Sequence, residues 1–142
     1  MIVLDTTILV YAKGSDHLLR EPCRRLLEAV ADGRLAATTT PEAIQEFVHV
    51  RARRRDRSDA VALGRAYADL LAPLLTVDAG GLREGLELFR THPRLGAFDA
   101  VLAATALTAG AVAIVSADAA FSALEAPRHH DPGRDALEAL LA

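Results

Sequence analysis

Short, unbroken apolar runs alternate along this chain with longer stretches in which apolar residues recur every three or four positions. Runs of the first kind suit strands buried on both faces of a sheet, and stretches of the second suit helices laid against that sheet. The predicted strands are "IVLD" at 2 to 5, "LAATTT" at 35 to 40, "LLTVD" at 74 to 78 and "AVAIVSAD" at 111 to 118. Helical signals follow the first strand. Residues 18 to 33 space Cys23, Leu26, Leu27 and Val30 helically, with Gly33 as terminator. Thr40 followed by Pro41 reads as an N-cap and first-turn proline, and Ile44, Phe47, Val48 and Arg51 then share one face. Further helices are predicted over 58 to 72, 79 to 92 and 93 to 110, the last closed by Gly110. "AAFSAL" adds a helical turn, and the tail holds a proline-bounded stretch around 128 to 131 and a short amphipathic helix.

Strands alternating with helices imply an α/β fold, with a mostly parallel sheet covered on both faces. The chain has 142 residues, 51% apolar and 25% charged, which suits one compact domain over 1–142. No internal repeat or low-complexity linker divides it. The opening run lacks basic residues before its apolar part and is interrupted by Asp5, so it is a poor signal peptide. Residues 100 to 116 are nearly free of polarity, but "TAG" at 108 to 110 breaks them, leaving too short a run to span a membrane. Cys23 is the only cysteine, which suits a reducing compartment, and the chain is expected in the cytoplasm.

A formal net charge of -3 gives no global signal for nucleic acid. Lys13 is the sole lysine, and "RARRRDR" at 51 to 57 is a dense basic cluster. Arg51, Arg53, Arg54 and Arg55 suit a phosphate-binding patch, or equally a solvated helix end favoured by the macrodipole.

Four acids stand in positions that matter. Asp5 and Asp118 end predicted strands, where ligands sit in open α/β sheets. Asp99 lies in the first turns of one helix and Glu46 midway along another, both bordering apolar faces. Taken singly, Asp5 and Asp118 suit turn or N-cap residues, and Asp99 suits a first-turn acid. Glu42 sits where a capping carboxylate is expected and is set aside. Jointly, four carboxylates within about 5 Å would repel by roughly 3 kcal/mol per pair at an effective dielectric near 20. Such a group needs protons, a basic side chain or a divalent metal, and lysine is almost absent. Oxygen-only ligands favour magnesium or manganese. Zinc is disfavoured, because Cys23 and the five histidines show neither CxxC nor HxxxH spacing.

"MIVLDTTILVYA", "TTPEAIQEFVHV", "LGAFDAVLAATAL" and "AIVSADAAF" resemble, in that order, the four motif segments of PIN-domain ribonucleases, specifically VapC-type toxins. The resemblance spans nearly the whole chain. It implies a PIN-like three-layer α/β/α fold with four to five short strands. It also implies a metal-dependent endoribonuclease that cuts single-stranded or loop RNA as the toxin of a toxin–antitoxin pair. By the same resemblance Asp5, Glu46, Asp99 and Asp118 form an acidic quartet binding Mg²⁺ or Mn²⁺, lined by Thr7 and Ser116. Asp5, Asp99 and Asp118 would bind metal, and Glu46 would serve its outer shell or orient the water. Family members commonly form homodimers and are silenced by a small VapB-type antitoxin, so both partners are expected.

The arginines after Glu46 would lead an RNA backbone toward the acids, or hold an acidic antitoxin surface. Most aromatic residues sit at core spacing, so Tyr11 and Tyr67 are the ones expected to face bases. Receiver domains and haloacid-dehalogenase-like phosphatases also place an Asp after the first strand. They fit poorly, since Thr7 stands where the phosphatases need a second Asp and both need a lysine near the phosphate. A catalytically inactive RNA- or protein-binding module of the same fold is the alternative.

Overall fold

The computed structural model describes residues 1–133 and 135–142. Four parallel strands, β1 (Ile2–Leu4), β2 (Ala37–Thr38), β3 (Ala113–Val115) and β4 (Arg128–His130), form one sheet in the order β2-β1-β3-β4. The helices are α1 (Thr6–Lys13), α2 (Arg20–Ala31), α3 (Pro41–Arg54), α4 (Arg57–Leu70), α5 (Ala79–Thr91), α6 (Ala97–Thr108) and α7 (Ala136–Leu141). A 3-10 turn covers Ala119–Ala123.

Successive side chains on a strand point to opposite faces, and that alternation builds three layers here. Ile2, Leu4, Ala113 and Val115 pack with Ile8, Leu9, Leu26, Phe47, Tyr67 and Leu71 on one side of the sheet. Val3 and Ile114 pack on the other with Leu95, Ala100, Ala103 and Ala106 of α6, and Phe121. The two faces are thus filled from different helices, which is why the central strands β1 and β3 carry no polar position.

Helix ends follow local chemistry. Thr40 Oγ1 accepts the Ala43 N–H at 3.3 Å as the cap of α3, and Pro41 occupies the first turn. Gly33 and Gly110 have positive φ, 73° and 77°, just past α2 and α6, as an αL helix stop requires. Gly96 caps α6, so that helix starts four residues later than its apolar pattern predicts.

The segment 74 to 78 is not a strand, contrary to its composition. Leu75 donates one backbone hydrogen bond to Thr39 O at 2.9 Å, and the ladder goes no further. Pro73 has no N–H to donate, and the Thr38 hydroxyl lies at 3.0 Å and 2.8 Å from the Leu71 and Pro73 carbonyls. The fourth strand is instead β4, in the stretch between Pro127 and Pro132, a polar edge strand without an apolar run to announce it. Among the described residues no helix is long and apolar enough to cross a membrane.

Candidate active site

The sheet order places β1 beside β3, with the crossovers leaving β1 in opposite directions, so a crevice opens at the carboxyl ends of these two strands. Asp5 follows β1 directly and caps α1; it is 4% exposed. Its Oδ2 accepts from Ser116 Oγ at 2.7 Å, from Thr7 Oγ1 at 2.9 Å and from Thr7 N at 3.4 Å. Among the described residues, Oδ1 takes no hydrogen bond.

The same hydroxyls knit β3 to this corner. Asp118 N donates to Ser116 Oγ at 3.0 Å, and Ala117 N donates to Thr7 Oγ1 at 3.0 Å. Asp118 itself caps the 3-10 turn, its Oδ1 accepting from Ala120 N at 2.9 Å. His129 on β4 adds a contact between its Nε2 and the Ser116 carbonyl at 2.8 Å. Thus Asp5 and Asp118 are both N-caps, and both stand at the strand ends as well.

Glu46 and Asp99 come from α3 and α6, on opposite sides of the crevice. Thr6 Oγ1 lies 3.1 Å from Glu46 Oε2 and 3.0 Å from the Ala43 carbonyl, tying the start of α1 to α3. Asp5, Glu46 and Asp99 line one cavity of about 290 Å³. Asp118 lies outside that lining, but its charge reaches Asp99. The Asp99 carboxyl is pushed up to about 7, first by burial and then by the charges of Asp5, Asp118 and Glu46. None of the ion pairs among the described residues involves any of the four acids.

Among the described residues no three Asp, Glu, His or Cys side chains stand in an arrangement that alone would cage a metal ion. The donor set nevertheless suits a hard cation that keeps several waters, as Mg²⁺ does when one or two carboxylates hold it. Among the described residues Asp5 keeps a free oxygen, Asp99 accepts no hydrogen bond and no cation pairs with the acids, a charge balance that favours a bound cation.

The arginine cluster divides in two. Arg51 Nε donates to Asp59 Oδ2 at 2.6 Å and its Nη1 to the Lys13 carbonyl at 2.8 Å, so this side chain clips α3 to α4 and α1. Arg53, Arg54 and Arg55 are exposed. Arg54 and Arg55 border a second cavity of about 180 Å³ with Gly14 and Ser15. Arg54 lies two helical turns beyond Glu46, roughly 12 Å along α3.

Several side chains sit elsewhere than the sequence predicts. Tyr67 does not face solvent: it is buried and donates to the Leu9 carbonyl at 3.0 Å, and Tyr11 stacks on His17. The most exposed ring among the described residues is Phe98, and it lines the acidic cavity. Glu42 makes no cap, because Thr40 fills that role, and its side chain lines the cavity too. Thr6 also belongs to the site, and its signal in the sequence is a second hydroxyl directly after Asp5.

A PIN domain family model matches residues 2–127. Ribonuclease VapC7 of Mycobacterium tuberculosis is 58% identical over 143 aligned positions, which cover 99% of this chain and 98% of that protein. Ribonuclease VapC23 of the same species is 34% identical over 102 positions, 70% of this chain and 78% of its own length. The near end-to-end match joins the parallel sheet and the acids at its strand ends in one assignment: this chain belongs to the PIN domain family, among its VapC-type ribonucleases.

Proposed function

We propose that the protein is a divalent-metal-dependent endoribonuclease that cuts single-stranded or loop RNA, as the toxin of a toxin–antitoxin pair. The observation that carries this reading is the gathering of Asp5, Glu46 and Asp99 on one cavity, with the charge of Asp118 reaching Asp99, and no ion pair to any of the four among the described residues. The ribonuclease names of its relatives support the substrate class.

Asp5, Asp99 and Asp118 would hold Mg²⁺ or Mn²⁺. When bound, such an ion polarises the scissile phosphate and acidifies a water. The remaining work falls to the chain. Ser116 and Thr7 fix Asp5 through Oδ2 and leave Oδ1 for the ion. Glu46, oriented by Thr6, holds the attacking water by accepting its hydrogen bond. Arg53, Arg54 and Arg55 draw the RNA backbone toward acids that would otherwise repel it. No side-chain nucleophile is needed: the Cys23 thiol is buried and pushed up to about 12, and Ser116 is buried against Asp5.

One PIN domain over residues 1–142, a homodimer, a VapB-type antitoxin partner and a cytoplasmic site of action complete the reading. The test is cleavage of a cellular RNA pool by purified protein in Mg²⁺, in Mn²⁺ and in EDTA, beside an Asp5→Ala variant. Discrete cuts that vanish with EDTA and in the variant are expected. Cuts indifferent to both would overturn the site, and no cuts with retained RNA affinity would make the protein a binding module.

A further inference from the structure

Phe98 is 81% exposed, although it directly precedes Asp99 on the first turn of α6. Its ring lines the same cavity as Asp5, Glu46 and Asp99, with Leu82 and Leu86 of α5 adding apolar wall. Leaving such a ring in water forgoes the stabilisation that burying an apolar side chain supplies. At about 290 Å³ the cavity lies at the small end of ligand pockets, a size for one flat ring system rather than a helix.

The polar part of the lining decides which ring. Carboxylates repel phosphate, so the occupant is the uncharged part of a nucleotide. Glu46 is engaged with Thr6, whereas Glu42, one turn earlier on α3, is exposed and takes no hydrogen bond among the described residues. An ionised carboxylate only accepts, and its two oxygens match two adjacent donors. Guanine offers N1–H and N2–H₂ side by side. Uracil flanks its single N–H with two carbonyls, and adenine and cytosine set a ring acceptor beside the amino group.

Resting on the ribonuclease reading above, we propose that this cavity seats one unstacked guanine of the RNA, its face on Phe98 and its donor edge on Glu42. The seat lies beside the acids, so the base flanks the phosphate that is cut. Aromatic stacking supplies affinity, and the Glu42 carboxylate supplies the choice of base.

The chain has no tryptophan, so the indole of a Phe98→Trp variant reports from this place alone. The probes are end-labelled UUGUU and UUUUU RNA, with Ca²⁺ in place of Mg²⁺ and strand integrity checked on gels. UUGUU is expected to quench the indole and to bind the unmodified chain more tightly than UUUUU. Phe98→Ala weakens UUGUU binding about tenfold or more. Glu42→Gln brings the two strands to equal affinity. Phe98→Ala binding UUGUU like the unmodified chain, or an unquenched indole while anisotropy reports bound RNA, would overturn the seat alone. So would a Phe98→Ala variant changed only in sedimentation mass, which gives the ring to a second copy of the chain. If the unmodified chain neither binds these strands nor cuts RNA in Mg²⁺, the ribonuclease reading falls and the guanine seat with it.

Discussion

Ser116 Oγ donates to Asp5 Oδ2 at 2.7 Å, joining residues 111 positions apart at the ends of adjacent parallel strands. The same hydroxyl accepts from Asp118 N, so one buried oxygen sets the position of two acids. Ser116→Ala removes both bonds, leaving Asp5 Oδ2 to Thr7 and the Asp118 N–H without its partner. The expected loss is about 1–3 kcal/mol, or roughly 3–10 °C in melting temperature. Ribonuclease rate should fall about tenfold or more, as for partners that orient metal ligands. Calorimetry and single-turnover cleavage check this. Parent-like values in both would mean that Thr7 alone suffices to hold Asp5.

Asp99 makes stability depend on pH when metal is removed. Its folded value of about 7 lies above the unfolded value of roughly 4. The folded state therefore binds the proton more tightly, and this group favours folding most below pH 4. That advantage disappears as pH rises from about 4 to 7. In EDTA, Asp99→Asn should flatten this part of the profile and raise the melting temperature at pH 8 by a few degrees. The gain is modest because the side chain is partly solvated. Adding millimolar Mg²⁺ or Mn²⁺ should stabilise the unmodified chain by mass action and the variant less. An unchanged melting temperature in every divalent ion would count against a metal role for the acids.

Much of this arrangement is legible in residue types. β1 and β3 announce themselves because burial on both faces demands unbroken apolar runs, and Asp5 and Asp118 stand out at their ends. β4 does not, because an edge strand buries little and Arg128, His129 and His130 carry no pattern. Residues 74 to 78 mislead for the opposite reason: they are apolar, but Pro73 and the Thr38 hydroxyl use up the groups a ladder needs. Phe98 and Tyr67 exchange their expected places because helical spacing locates a face without saying what covers it. The role of Arg51 depends on Asp59 and Lys13, and the cavity that Glu42 shares with Phe98 is assembled only by the fold, so no local pattern encodes either.

Arg51 and the arginines after it should separate in experiment. The Arg51 side chain is 16% exposed and its hydrogen bond holds the Asp59 carboxyl below the usual carboxylate range. A depressed folded value stabilises above the unfolded value near 4, and the effect is lost as pH falls through the folded value. Arg51→Ala should therefore lower the melting temperature at pH 7, with the deficit shrinking toward pH 3. Replacing Arg53, Arg54 and Arg55 together by serine should leave the melting curve in place. It should weaken single-stranded RNA binding and flatten the log–log salt slope by about 2. Filter binding across a salt series reads this, and an unchanged slope would assign those arginines to another partner or to solvent.

The acidic cavity also depends on how closely α5 approaches α6. A Cβ at Gly85 would stand 2.6 Å from both Val101 Cα and Val101 Cγ2, whereas one at Gly64 would meet Val48 Cγ2 at 2.6 Å and nothing else closer than 3.8 Å. A methyl group can turn away, but a backbone carbon moves only with its helix. Alanine gains about 1 kcal/mol of helix propensity over glycine at either position. Overpacking costs typically about 1–3 kcal/mol, so Gly85→Ala should be net destabilising and Gly64→Ala close to neutral. Val101→Ala should relieve only the side-chain part of the clash, leaving the Gly85→Ala, Val101→Ala double variant short of full recovery. Thermal melts of the four proteins give the coupling energy directly. Since Leu82, Leu86 and Phe98 line the cavity from these two helices, Gly85→Ala should also weaken RNA binding. A Gly85→Ala protein as stable as the parent would mean that α5 shifts freely on α6, and that the cavity wall is softer than its packing implies.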